Sequence, residues 1–460
     1  MTFHFTEPGI IFALLLAFYI CLQCALSMIE VSRAERNASH VPEPFEKTVS
    51  LAEHRKAVDY HVELIQCDLV NALVGAVLAV LFTFTGGLNW LLDSIEQVWG
   101  QKLFTQFLLV VTVTALLVLI DLPFCWVREF RVNERYGFER APQKQWLRSA
   151  LIATLIGWFC EIPLLVLFII LLKVSSYNWW LAASAICAVW FFWIWIAGPT
   201  WRMTPGKKAT LMPRGELRSI IERRLFREGF IGCEILSAKG PNGGRRDCGI
   251  LTGRPGKMKF VLYDFVSERL KEPEQLDAIV ALVIARRRLH HNTIRFVLAS
   301  AFMLVFWLLL AMAFTFPPFY EALGMSAEVA LRNGKPLAGL VISLMLIAAP
   351  ILLYPLVFPI HYLNRRLDFE ADRWAVARAG SKPFVEALVN LERDIRCTVE
   401  PSAPYGLANH RHPHVMQRIN ATLNLDSAQQ MTRFTKLLEA RSDLAIPKSI
   451  LTNTRGTYHG

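Results

Sequence analysis

The chain has 460 residues, 54% of them hydrophobic, with a formal net charge of +11 and a mean hydropathy of +0.36. That is too apolar for an ordinary soluble protein, and the charge excludes burial in lipid throughout, so the composition predicts a multi-span membrane protein with soluble, basic parts. Nine cysteines, an odd count with a single C-x-x-C pair inside an apolar run, indicate neither a disulfide framework nor a zinc knuckle.

In chain order, the opening "MTFHFTEPGIIFALLLAFYICLQCALSM" has no basic leader or small-residue cleavage pattern, and it is read as a retained first span rather than a signal peptide. A bilayer core of roughly 30 Å needs about 20 apolar residues in a helix. Seven stretches qualify, near 9–28, 69–92, 105–125, 148–172, 178–199, 295–317 and 337–360. Lys and Arg crowd 29–68, 126–147, 200–294 and the tail after 361, so the positive-inside bias puts the N-terminus outside and the C-terminus in the cytoplasm. The expected domains are a membrane part, 1–199, with five transmembrane helices; the first half of a cytoplasmic domain, 200–294; helices six and seven, 295–360; and the second cytoplasmic half, 361–460. The excess of basic residues suits anionic membrane lipid, and no motif supports nucleic acid.

In the first cytoplasmic half, Leu217, Ile220, Ile221, Leu225 and Phe226 recur at helical spacing. Gly-rich turns and a run from Lys259 to Tyr263 then suggest hairpin strands. Next comes "DAIVALVIARRRLHHNTIRF", 277–296, with one apolar face of Ile279, Leu282, Val283 and Leu289 followed by Arg286, Arg287, Arg288, His290 and His291. The tail holds helices around Leu363–Ala379 and Lys382–Arg396, then the Pro- and His-rich loop "PSAPYGLANHRHPHVMQRI".

Several strings in this order, "SLAEHRKAVDYHVEL", "GGLNWL", "NERYGFER", "GELRSIIERRLFREGF", "KFVLYDFV", "RRLDFEADRWA" and "HPHVMQRI", make the chain resemble the CAAX prenyl endopeptidases, with the bacterial branch the nearest in appearance. The resemblance implies an all-α membrane protein with a small α+β cytoplasmic metalloprotease-like domain, seven transmembrane helices enclosing a chamber, and a place in a bacterial inner membrane. It also implies zinc held by an H-E-x-x-H helix, whose histidines share a face because residues i and i+4 do, and whose glutamate polarises the metal-bound water. Here an ungapped alignment puts Ala285 and Leu289 at the histidine positions and Arg286 at the glutamate. Alanine and leucine cannot ligate a metal, and arginine cannot act as a general base. Asp368 corresponds to the third, glutamate ligand and Asp372 to an outer aspartate, with Glu370 between them. His412 matches a histidine that helps bind the transition state, Arg418 keeps its place, and the edge strand has Cys248-Gly249 where the family carries Asn-Ala.

The expectation is a catalytically inactive relative, with no intact catalytic residue and no cofactor, that binds or regulates a membrane or prenylated client protein. Asp368, Glu370, Asp372, His412, Arg418 and Arg286 are the candidate former-site or client-binding residues, and Arg286 is expected to pair with Asp368 in place of the metal. Two alternatives stay open: an active metalloendopeptidase using zinc on His290 or His291 with Asp368 and His412, and a scaffold subunit of a membrane complex. Against the first, His290 and His291 would point about 100° apart on a helix. The bland readings also stand: the arginines as a collar at the membrane surface, and the carboxylates as surface groups paired with Arg365, Arg366 and Arg373.

Overall fold

The computed structural model describes residues 7–138, 142–174, 179–203, 209–238, 248–254, 257–270, 272–325, 331–332, 335–392 and 398–424. The chain forms two compact units. The first holds Met1–Ile196, Arg295–Tyr362 and Pro401–His410, and the second holds Ala197–Ile294, Leu363–Glu400 and Arg411–Gly460.

The first unit is helical. Among the described residues, Gly9–Asn37, Leu51–Phe82, Leu103–Arg135 and His291–Met312 are long and apolar enough to cross a membrane. A fifth crossing is available if Ala338–Leu352 and Tyr354–Ala379, bent by 58°, act as one broken span. The expected fourth and fifth spans, 148–172 and 178–199, fall on helices Gln143–Val174 and Trp179–Met203, apart from residue 178, which lies outside the described residues.

Two expected spans are corrected. The second lies within Leu51–Phe82 and not at 69–92, because the chain leaves the helix at Thr83 and starts a separate helix, Gly87–Trp99, after Gly86 at φ +76°. The seventh is interrupted at Leu353, in a segment that carries Pro350 and Pro359 inside its two helices. Leu51–Phe82 begins with a capping box: Ser50 Oγ accepts from the Glu53 amide at 3.3 Å, and the Glu53 carboxylate accepts from the Ser50 amide at 2.8 Å. Helices Leu103–Val127 and Ala338–Leu352 approach closely at Gly339, where a Cβ would sit 2.3 Å from the Gln106 carbonyl oxygen. Such small-residue contacts are how membrane helices pack without a hydrophobic drive. Leu109, Val113, Leu340 and Leu344 close the core there.

The second unit is built on a four-stranded mixed sheet in the order β1 (Thr210–Leu211), β2 (Glu234–Ala238), β4 (Lys257–Tyr263), β3 (Gly249–Arg254). β2 and β4 are parallel, and β3 and β4 form the antiparallel hairpin that the Gly-rich turns predict. Phe260, Val261 and Leu262 of β4 are fully buried, as an inner strand covered on both faces requires. At the edge, Gly249 is obligatory in its place, because a Cβ would meet the Val261 carbonyl oxygen at 2.5 Å.

Helix Pro273–Arg288 lies at the centre of this unit, against β3 and the helices Glu216–Arg227 and Ser381–Leu391. Pro273 at its first position, with φ already fixed, favours its start. The single apolar face expected for it is corrected: every residue from Ala278 to Ala285 is buried. Three alanines, 278, 281 and 285, spaced i, i+3, i+7, share one face and leave room for a neighbour there.

The tail also differs from its expected form. Helix Tyr354–Ala379 begins nine residues before 363, helix Ser381–Leu391 ends at a cap on Glu392 while the expected end at Arg396 lies outside the described residues, and the Pro- and His-rich stretch holds two helices, Ala403–Asn409 and Val415–Leu423.

Candidate functional site

The residues singled out by sequence gather in the second unit, on the end of the central helix, on the following acidic stretch of Tyr354–Ala379, and on the segment 411–418. The central helix ends at Arg288, so Ala285 is its last fully buried residue, and Arg286, Arg287 and Arg288 form its last turn. Three cations there complement the negative end of the helix dipole. Arg286 is partly buried, and Arg287 donates to the Gly253 carbonyl at 3.2 Å.

Leu289 lies outside the helix as its C-cap, and His290 follows with φ +55°, the one non-glycine residue in the left-handed region among the described residues. The expectation that 277–296 is one helix carrying both histidines is therefore corrected. The chain turns at His290, which is exposed, and a new helix, His291–Thr315, starts with His291 fully buried. A left-handed residue after a helix satisfies orphan carbonyls, and here the His290 amide donates to the Arg287 carbonyl at 3.2 Å.

The acidic stretch offers its side chains by helical periodicity. Arg365, Asp368 and Asp372 are spaced i, i+3, i+7 and share a face, while Glu370, two residues from Asp368, points elsewhere. The segment 411–418 lies along that shared face. His412 Nδ1 and Asp368 Oδ2 are 2.6 Å apart. Arg418 binds Asp372 through two parallel bonds, Nε to Oδ2 at 2.8 Å and Nη2 to Oδ1 at 2.6 Å. Arg365 Nη2 donates to Gln417 Oε1, which also accepts from the His414 amide at 3.3 Å.

Asp368 and Asp372 are both buried, and Arg418 beside Asp372 is buried with it. Burial works against a charged guanidinium, but the charge and hydrogen bonds of Asp372 raise Arg418 above the ordinary arginine range. With Asp368 ionised, its carboxylate can only accept, so the His412 Nδ1 that faces it is then the donor; the His412 side chain is 36% exposed.

Glu370 faces the other way, with Oε2 3.4 Å from His291 Nε2, and neither ring nitrogen of His291 makes a hydrogen bond. The four residues of the alternative metal set thus separate: His291 is beside Glu370, His412 beside Asp368, and His290 is on the exposed turn. No group of three or more His, Cys, Asp and Glu side chains is placed to hold a metal ion among the described residues.

One buried ion pair escaped the sequence. Arg224 of helix Glu216–Arg227 is 5% exposed and grips Asp277, the first residue of the 277–296 stretch, with Nε to Oδ1 at 2.7 Å and Nη2 to Oδ2. Its hydrogen bond to Asp277 raises the Arg224 pKa against the opposing effect of burial. The signal was present: an arginine at i+4 from Ile220 and i+3 from Ile221 falls on the apolar face and needs a buried partner.

Several apolar spans with a small mixed sheet define a mostly helical integral membrane protein. Known proteins agree. Residues 31–203 match the family model for the CAAX prenyl protease N-terminal region, five membrane helices. A CAAX prenyl protease 1 homolog of Arabidopsis thaliana is 21% identical over 309 residues, covering 65% of this chain and 69% of that protein. CAAX prenyl protease 1 of Saccharomyces cerevisiae is 22% identical over 319 residues, covering 67% and 70%. A homolog of Dictyostelium discoideum is 21% identical over 407 residues, covering 85% and 91%. The crystal structure of S. mikatae Ste24p superposes with a TM-score of 0.76 at 17% identity, covering 90% of this chain and 99% of that one, which shows a shared fold. The chain is thus similar to CAAX prenyl proteases over most of its length and shares the fold of Ste24p.

Proposed function

We propose that this chain is a proteolytically inactive member of the CAAX prenyl protease family that holds or regulates a membrane protein or lipid-modified client. One observation carries the reading: at the aligned positions of the metal-binding helix stand a fully buried alanine, Ala285, an arginine, Arg286, and a leucine, Leu289, that lies beyond the helix end. These residues do not fit a zinc ion. Two ligand positions offer no donor atom, and the third, Asp368, is engaged by His412 at 2.6 Å. Nor does Arg286 fit a general base, since its guanidinium stays protonated under ordinary conditions.

What remains is a wall of paired side chains, Arg365–Gln417, Asp368–His412 and Asp372–Arg418, with the His412 edge accessible to a bound peptide. Arg286 supplies positive charge on the side of Asp368 in this reading. The seven-span topology, the cytoplasmic placement of the second unit and a bacterial inner membrane belong to the same proposal, supported by the distribution of Lys and Arg. Metal analysis of detergent-purified protein, together with incubation with a farnesylated CAAX peptide, tests it. Less than stoichiometric zinc and no cleavage support the reading; one zinc per chain with chelator-sensitive cleavage overturns it.

A further inference from the structure

Helix Glu216–Arg227 buries Ile220, Ile221, Arg224 and Leu225, so its remaining face meets solvent. On that outer face stands Phe226, 70% exposed, and five residues on, across the turn that ends the helix, Ile231 is also 70% exposed. The turn is ordered by its own bonds: the Phe230 amide donates to the Leu225 carbonyl at 2.8 Å and the Gly229 amide to the Phe226 carbonyl at 3.0 Å, with Gly229 at φ +80°. This is the Schellman closure of a helix end. Gly232, at φ +72°, turns the chain again toward β2. "FREGFIG", 226–232, is therefore a fixed tip that presents two large apolar side chains outward, where a single exposed one would mean nothing.

The rim of the tip is basic. Arg223 and Arg227, three residues before and one after Phe226, are exposed, and the acids beside them are already held, Glu222 by Arg218 Nε at 2.7 Å and Glu228 by Arg378 Nε at 3.1 Å. Apolar side chains ringed by guanidinium groups match the chemistry of an anionic lipid leaflet, with acyl chains for the former and phosphates for the latter.

We propose that the tip Phe226–Gly232 inserts its Phe226 and Ile231 side chains into the interfacial layer of an anionic leaflet, with Arg223 and Arg227 on the headgroups. It is a peripheral anchor additional to the membrane spans, and it does not depend on whether the chain cleaves peptides.

Hydrogen exchange read by mass spectrometry on the full chain tests this, in nanodiscs of phosphatidylcholine alone and of phosphatidylcholine mixed with phosphatidylglycerol. The expected result is slower exchange over 226–232 in the mixed discs, by about fivefold for each arginine engaged. The lipid dependence disappears in R223Q/R227Q, and the protection in F226S/I231S. Unchanged exchange of the buried helix Pro273–Arg288 certifies that the variants are folded. Equal exchange in both lipids overturns the proposal, and so does equal protection in detergent, which marks a protein contact at the tip instead.

Discussion

Arg418 and Asp372 show how much one buried pair contributes to this unit. Each is almost wholly removed from water, and each satisfies the other through two bonds, so the pair is stable only as a pair. Asp372→Asn should lower the stability of the purified protein by about 3–5 kcal/mol, since it leaves a buried guanidinium uncompensated. Thermal unfolding in detergent reads this, and a variant within experimental error of the parent would show that the pair is hydrated. The proposed attraction between Arg286 and Asp368 is open to a charge swap. Arg286→Glu and Asp368→Arg should each destabilise, and the double variant should recover about 0.5–3 kcal/mol relative to the sum; additive effects leave the arginines as a collar. At this scale the sequence was partly legible. Asp372 pairs with Arg418 and Asp368 with His412, four residues that the sequence strings single out. That His412 takes Asp368 was not legible, because the approach of segment 411–418 is set by tertiary packing and not by any local spacing.

The element that most departs from its expected form is the central helix. Periodicity extends it through Leu289, yet it stops at Arg288, because three consecutive cations favour a helix end and His290 accepts the left-handed turn. A histidine there is strained relative to glycine. His290→Gly should therefore raise stability by roughly 0.5–1 kcal/mol, and His290→Val should lower it, both read from the unfolding midpoint. A destabilised glycine variant would show that the imidazole makes a contact worth more than the backbone strain. The same limit on periodicity explains Phe226: its spacing fits the apolar face of Glu216–Arg227, but Arg224 occupies that face to reach Asp277, and Phe226 is left outside. Strands were easier to read, since Gly-rich turns around a β-branched and aromatic run specify a hairpin without tertiary help.

For the whole molecule, hydropathy and the distribution of charge identified an integral membrane protein with several spans, and the ordered family strings identified its fold. Span boundaries were less legible, because a hydropathy window does not register the break at Thr83–Gly86 or the bend at Leu353. The proposed orientation predicts that Cys233, partly exposed in the second unit, is labelled by a membrane-impermeant maleimide only from the cytoplasmic side, while a cysteine placed before Glu7 is labelled from the outside. Labelling of both from one side contradicts that topology. The proposal that this chain binds a client and does not hydrolyse peptides with a metal is tested most directly by zinc content measured alongside cleavage of a farnesylated CAAX peptide by the same preparation. Well under one zinc per chain and no product are expected, the loss of a general base alone being worth about 10²–10⁴-fold in rate. One zinc per chain with turnover abolished by a chelator and restored by zinc would contradict it.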